Sequence, residues 1–254
     1  MSEEKLYGIH PVLEAIAGRR RQIGKVLLDV RRRGSGAQRI AALAVERGIP
    51  VETVSGLQLD RLLGHRHHQG VVAVASSLGM PSLAETLTWL AERQGPQTVV
   101  LLDGVTDVGN FAALLRSAVA FGVQVVILPQ HRSVALTPMV AKRSAGAVDQ
   151  LMVAEAGNVV RALDALKRLG FWVYGAEMTA DTAVGRMTWP ERTVLVLGGE
   201  DRGIRRLVRE RCDGLVHVPM RRGADSLNVA VAGSILLAYI WDQRSAQPGA
   251  VIDV

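Results

Sequence analysis

Three polar, glycine-bearing stretches stand where apolar runs end, and they hold the side chains best suited to binding or catalysis. The first is Asp103-Gly104-Val105-Thr106-Asp107-Val108-Gly109-Asn110, leading into a helical pattern that carries Arg116 about two turns further on. The second is Leu197-Gly198-Gly199-Glu200-Asp201-Arg202-Gly203. The third is Val218-Pro219-Met220, followed by Ser226-Leu227-Asn228-Val229-Ala230-Val231-Ala232. In an open α/β sheet, ligands bind beyond the carboxyl ends of strands. Gly198 and Val218, at the two strand ends, lie 20 residues apart, so these ends can wall one pocket. The pair Gly198-Gly199 lets backbone approach a ligand with no Cβ in the way. Asn110, Ser226 and Glu200 offer hydrogen bonds, although each also reads as a helix-terminus residue, by N-capping or by complementing the helix dipole. Asn228 sits at an apolar helix start, where an unpaired amide is costly, so it requires a specific partner.

Hydrophobic periodicity supplies the scaffold for these stretches. The first 75 residues predict helices at 8–17, 36–47 and 56–63 and strands at 25–28, 51–54 and 71–75, a small α/β unit. Residues 76–96 carry serine, glycine and proline punctuation around a helical pattern at 82–93 and read as a linker. From residue 97 onward, strands at 99–102, 123–128, 150–154, 171–176, 193–198 and 214–218 alternate with helices at 109–121, 137–144, 157–169, 203–211 and 226–243. That alternation predicts a mostly parallel sheet covered on both faces, an α/β fold. From Val229 to Trp241 only Ser234 is clearly polar. A helix apolar all round is buried all round, so this one is expected to pack on its own sheet and on a second subunit.

Composition narrows the function classes. A 254-residue chain with 48% hydrophobic and 21% charged residues reads as soluble and globular, with no membrane partner, and a cytoplasmic location is the default. Cys212 is the only cysteine, which excludes an internal disulfide or a cysteine metal cluster. His65-Arg66-His67-His68 has no carboxylate or cysteine near it in sequence and reads as an exposed basic loop, not a metal site. The chain lacks G-x-G-x-x-G, G-x-x-x-x-G-K-[ST] and G-x-S-x-G, which argues against a standard dinucleotide fold, a P-loop NTPase and an α/β-hydrolase. The net charge is +6, and 26 of the 30 basic residues are arginine. Clusters lie at Arg19–Arg21, Arg31–Arg33, Arg205–Arg211 and Arg221-Arg222. Guanidinium groups pair with phosphates in a bidentate fork, so a polyanionic partner such as RNA is one reading of these clusters and plain solvated faces are the other.

The three stretches, in this order, resemble the motifs of the SpoU (TrmH) branch of the SPOUT RNA 2′-O-ribose methyltransferases, most nearly the type that methylates a guanosine of 23S rRNA. Tyr7-Gly8-Ile9-His10-Pro11-Val12-Leu13-Glu14-Ala15 and His68-Gln69-Gly70-Val71-Val72-Ala73 are similar to the start and end of that type's small RNA-binding domain, itself like certain ribosomal proteins. The resemblance spans nearly the whole chain. It implies an RNA substrate-binding domain at 1–75, a linker at 76–96 and a catalytic domain at 97–254 with a trefoil knot and a homodimeric active site. DNA is not an implied partner. The chain departs from the family pattern at Val108, where proline is usual, at Ala112 in place of glycine, and at Ala230 in place of serine.

The resemblance also implies S-adenosyl-L-methionine as cofactor. Backbone groups of Gly198, Val218 and Leu227 would contact it, and Leu197, Gly199 and Met220 would line the same pocket. Asn110, Arg116, Glu200, Ser226 and Asn228 would form the catalytic set. The family's arginine at position 116 is assigned as general base for the 2′-hydroxyl. A neutral arginine at pH 7 costs about 8 kcal/mol. Arg116 is therefore expected to hold a phosphate and to stabilise the emerging alkoxide.

Overall fold

Leu6 and Tyr7 are the first side chains to go inside, at the end of a strand that the charged run Glu3-Glu4-Lys5 concealed. The structure, a computed structural model, describes residues 3–18, 20–31, 34–200, 202–221 and 226–246. Arg19, Arg32, Arg33, Asp201 and Arg222, singled out above, lie outside the described residues. The chain divides into two compact units.

The first unit opens with β1 (Glu3–Tyr7), α1 (Ile9–Gly18), β2 (Ile23–Asp29), α2 (Ser35–Glu46), β3 (Val51–Val54), α3 (Gly56–Leu63) and β4 (Val71–Ser76). Its sheet runs β1-β4-β2-β3, with β4 antiparallel to both neighbours and β2 parallel to β3. On one face Leu59 of α3 packs with Tyr7, Leu27 and Val72. A capping box starts α3: Ser55 Oγ accepts the Gln58 N–H while the Ser55 N–H donates to Gln58 Oε1. His68 is buried rather than part of an exposed loop. Its Nδ1 accepts the Gly70 N–H at 2.9 Å, which leaves Nε2 to donate to Asp60 Oδ1 at 2.9 Å.

The second unit begins with α4 (Leu83–Ala91), β5 (Gln97–Asp103), α5 (Val108–Ala120) and β6 (Val125–Pro129). The helix expected inside a linker is a structural part of this unit, because Leu90 of α4 is fully buried among Val99, Leu101 and Ile127. The chain then returns to the first unit for α6 (Pro138–Arg143) and α7 (Ala147–Gln150). Residues 135–150 thus belong to the compact unit of residues 1–79, although they fall within the stretch read as one catalytic domain. Val140, Ala141, Ala147 and Val148 are buried there. Gly146 has φ +89°, and a Cβ on it would meet Glu14 Cβ at 2.5 Å, so this contact requires glycine.

The arginines at 20 and 21 explain how that return is fixed. Arg21 Nε donates to Asp149 Oδ1 at 2.5 Å and Arg21 Nη1 to Glu4 Oε2 at 2.6 Å. Arg20 Nη1 donates to the Val148 carbonyl at 3.2 Å. The side chains of Arg21 and Asp149 are 1% and 0% exposed. Arg21, expected to meet RNA, is instead committed to a buried ion pair. Burial pushes the Asp149 carboxyl up from its ordinary value, and Arg21 pulls it back down.

The second unit continues with β7 (Met152–Ala156), α8 (Val159–Arg168), β8 (Trp172–Ala176), β9 (Thr182–Ala183), a 3₁₀ turn at Val184–Arg186, β10 (Arg192–Gly198), α9 (Arg206–Arg209), β11 (Gly214–His217) and α10 (Val229–Ser245). Its seven strands are all parallel, in the order β7-β6-β5-β10-β8-β11-β9. β10 lies at the centre with Leu197 opposite Leu102 and Gly198 opposite Asp103. The carboxyl ends of β5 and β10 therefore emerge side by side. α10 buries Val229, Ala230, Gly233, Leu236, Leu237 and Ile240, whereas Val231 and Tyr239 are 47% and 45% exposed. Within this one chain the helix is covered on one face, not all round. A Cβ on Gly233 would lie 2.6 Å from Leu114 Cδ2 and 2.7 Å from Leu197 Cδ1, which brings α10 close to both α5 and β10. Among the described residues no helix is long and apolar enough to cross a membrane.

Candidate active site

The turn after β10 is stitched to the end of β5. The Gly199 N–H donates to the Asp103 carbonyl at 3.1 Å, and the Gly203 N–H donates to the Gly199 carbonyl at 2.9 Å. A Cβ on Gly198 would sit 2.1 Å from the Gly203 carbonyl carbon, and one on Gly199 would sit 2.5 Å from the Gly104 oxygen. Both glycines are required by the chain's own close packing, a different reason from the ligand approach anticipated for them. The buried Asp103 side chain anchors the same turn: Oδ2 accepts the Arg205 N–H at 2.8 Å and Oδ1 accepts Arg205 Nε at 2.7 Å.

The helix termini differ from expectation in register. Asp107, not Asn110, caps α5, with Oδ1 accepting the Asn110 N–H at 2.7 Å. Asn228, not Ser226, caps α10, with Oδ1 accepting the N–H groups of Ala230 at 2.9 Å and Val231 at 3.4 Å. Capping leaves the Asn110 side chain and the Asn228 Nδ2 free to meet. Asn228 Nδ2 donates to Asn110 Oδ1 at 2.9 Å and to Glu200 Oε1 at 2.7 Å, and Asn110 Nδ2 donates to the same Glu200 oxygen at 2.8 Å. One residue from each of the three stretches thus joins a single polar cluster. This supplies the partner that the Asn228 amide required.

A cleft of about 270 Å³ opens beside the cluster. Leu197, Gly198, Gly199, Glu200, Val218, Met220, Ser226, Leu227 and Asn228 all line it. Ala176, Glu177, Met178, Val216, His217 and Leu236 line it as well, and sequence reasoning missed them. Glu177 and His217 stand at or just beyond the ends of β8 and β11, so the strand-end rule, applied to every strand, would have found them. His217 Nδ1 is buried with no hydrogen-bond partner among the described residues. A second cavity, about 540 Å³, adjoins the first and shares Gly199, Glu200, Gly203 and Val229 with it. Asn110 lines this second cavity, together with Asp107, His131, Arg132, Arg202 and Arg205. Arg116 lines neither cavity: it is exposed on α5, with no hydrogen bond or ion pair among the described residues.

Residues 97–238 match the SpoU rRNA methylase family, and residues 5–81 match the substrate-binding domain of RNA 2′-O ribose methyltransferases. The chain belongs to the SpoU rRNA methylase family. It is 35% identical to the 23S rRNA (guanosine-2′-O-)-methyltransferase RlmB of Coxiella burnetii, over 96% of this chain and 97% of that protein. It is 37% identical to RlmB of Xylella fastidiosa, over 94% and 96% of the two chains. Among solved structures it resembles the SpoU methyltransferase AviRb from Streptomyces viridochromogenes, determined with AdoMet, at a TM-score of 0.78 and 24% identity. That match covers 96% of this chain and 92% of AviRb, and at this identity it is a likeness of fold. The SpoU family match over 97–238 takes in both cavities and the Asn110–Glu200–Asn228 cluster.

Proposed function

We propose that this SpoU-family protein transfers a methyl group from S-adenosyl-L-methionine to the ribose 2′-hydroxyl of a guanosine in 23S rRNA. The observation that carries the reading is the juxtaposition of two cavities across one polar cluster. The smaller cleft is mainly apolar, with Leu197, Val218, Leu227 and Leu236 suited to an adenosyl group. Its polar groups, including Glu200, Ser226, Asn228 and the unpartnered His217 Nδ1, suit the amino-acid portion or the ribose. This donor set fits the cofactor, which supplies an electrophilic sulfonium methyl group when bound. Asn110, Glu200 and Asn228 then orient the incoming ribose beside the cleft. Orientation of this kind is the protein's main contribution to a transfer whose reactive group belongs to the cofactor.

In this reading the RNA substrate-binding domain is residues 1–75 with the 135–150 return, and the catalytic SPOUT domain with its trefoil knot is the rest of 97–254 together with α4. The protein works in the cytoplasm as a homodimer. A second copy covers the face of α10 that carries Val231 and Tyr239, and Arg116 of one protomer serves the other's cleft. The exposure of Val231, Tyr239 and Arg116 supports this arrangement. The deciding experiment incubates the protein with tritiated S-adenosylmethionine and either 23S rRNA or bulk tRNA, then maps 2′-O-methyl marks. A mark on a 23S rRNA guanosine is expected. Label on tRNA alone would reassign the substrate, and absence of cofactor binding would remove the enzymatic reading.

A further inference from the structure

The larger cavity has a charge arrangement that the cofactor cleft does not need. Its carboxylates are already engaged. Asp103 is held by Arg205, Glu200 accepts from Asn110 and Asn228, and Asp107 accepts the Asn110 N–H. Arg205 is in turn spent on Asp103. Arg132 and Arg202 also line the cavity, and neither makes a hydrogen bond or ion pair among the described residues. Arg132 has a further peculiarity. It lies in the loop after β6 with φ +58°, a left-handed conformation that glycine adopts at no cost and a side chain does not. A residue kept in such a conformation is a pointer to function. Two unpaired guanidiniums at a polar cavity match a phosphodiester, because each guanidinium can grip two phosphate oxygens at once.

We propose that the 540 Å³ cavity receives the target nucleotide of a single RNA strand and that Arg132 and Arg202 clamp a phosphate flanking it. This inference rests on the methyl-transfer reading above. The clamp is a positioning device: it holds the strand so that the ribose meets Asn110 and Glu200 at the boundary shared with the cofactor cleft. An unpaired nucleotide suits such a cavity, since a base stacked in a duplex cannot enter it.

The test uses the full-length protein, a 23S rRNA transcript and tritiated S-adenosylmethionine. Arg132→Gly is the informative variant, because glycine tolerates the left-handed backbone and so spares the fold. It is expected to lower kcat/KM for the RNA by about tenfold, with cofactor Kd within about twofold of the parent. The slope of log(kcat/KM) against log salt is expected to become shallower by about one, the signature of one lost phosphate contact. Arg132→Lys should recover the salt slope and part of the rate, and Arg202→Gly should lower both further when added to Arg132→Gly. An unchanged kcat/KM and salt slope in Arg132→Gly would overturn the clamp. So would a loss of cofactor affinity in step with the loss of rate. A parent protein that transfers no methyl group to 23S rRNA would overturn the functional reading, and this inference with it.

Discussion

Asn110 and Asn228 are 118 positions apart in the chain, yet Asn228 Nδ2 donates to Asn110 Oδ1 at 2.9 Å, and both amides close on one oxygen of Glu200. Helix caps make this meeting possible. Asp107 satisfies the first turn of α5, so Asn110 is spared that task, while Asn228 caps α10 with its oxygen and keeps its NH₂ for the cluster. Glu200 is thus the acceptor through which the glycine turn is tied to both helix starts.

Glu200→Ala removes that acceptor and leaves two amides competing for water. The variant should lose about 100-fold in kcat for RNA methylation, the scale of a small misplacement at a reacting centre. Glu200→Gln can still accept both hydrogen bonds through Oε1, so its loss should be nearer tenfold. Steady-state kinetics with cofactor affinity measured in parallel checks this. If Glu200→Ala keeps kcat within about threefold of the parent, the carboxylate merely closes the turn.

The two glycines of the turn are expected to be intolerant for a reason that does not involve the cofactor. Ala at 198 would place Cβ 2.1 Å from the Gly203 carbonyl carbon and 2.3 Å from the Ile204 nitrogen, both backbone atoms that cannot swing away. Gly198→Ala should cost about 3 kcal/mol or more and abolish cofactor binding with it. Gly104→Ala is the control. Gly104 has φ +91°, but a Cβ there would meet nothing within 4 Å, so only backbone strain of about 1 kcal/mol is expected. Thermal unfolding of both variants ranks them, and equal losses would show that steric conflict at position 198 is relieved by movement of the turn.

The core strands of the second unit were legible because strands buried on both faces read as unbroken apolar runs, as Val99-Val100-Leu101-Leu102 and Val194-Leu195-Val196-Leu197 do. β1 was not, because its first three residues are charged or half-exposed and only Leu6 and Tyr7 announce it. β9 has only two residues and no periodicity to read. The glycine turn, the Asn110 helix start and the Ser226–Asn228 segment were legible as a site from their order and from the family pattern. What those residues touch was not. Nothing local in Arg19-Arg20-Arg21 distinguishes an RNA-facing cluster from one whose last member pairs with a carboxylate 128 positions away. Nor does any local signal tell that residues 135–150 pack with the first unit rather than the second.

That long-range pairing carries its own prediction. Arg21→Met leaves the Asp149 carboxylate buried without its cation, a change that should cost about 3–5 kcal/mol in the first unit. The double variant Arg21→Met/Asp149→Leu should regain most of the loss, because two apolar groups of similar volume need no compensation. The pH dependence has a definite sign. Burial already raises the Asp149 carboxyl, and removing Arg21 raises it further. The folded single variant then holds a proton that the unfolded chain releases, so its stability falls as pH rises above the ordinary carboxylate range. The deficit should therefore be smaller near about pH 4 than at pH 7. Denaturant titrations at the two pH values decide it, and a deficit that grows on acidification would contradict the assignment. The same packing bears on truncation: removing residues 1–75 strips Val140, Ala147, Val148 and Asp149 of their partners, so such a fragment should be less stable than the whole chain.

Cys212 gives a prediction that needs no RNA and no cofactor. Its Sγ donates to the Val208 carbonyl at 3.5 Å, and burial pushes the thiol up to about 12, against a smaller opposing pull from Lys167. The thiolate is the reactive form, and at pH 8 a pKa shift of this size cuts its population roughly a thousandfold relative to an unperturbed thiol. The folded protein should therefore resist iodoacetamide at pH 8, and denaturant should release rapid single-site alkylation. Because the unfolded thiol ionises first, stability contributed by the neutral thiol is complete below about pH 9 and is lost as pH climbs toward 12. Replacing Cys212 with alanine should flatten that alkaline decline while lowering stability at pH 7 by about 1 kcal/mol for the lost packing. Fast alkylation of the native protein would mean that the segment between α9 and β11 opens far more often than the packing of Cys212 against Val208 and Gly175 implies.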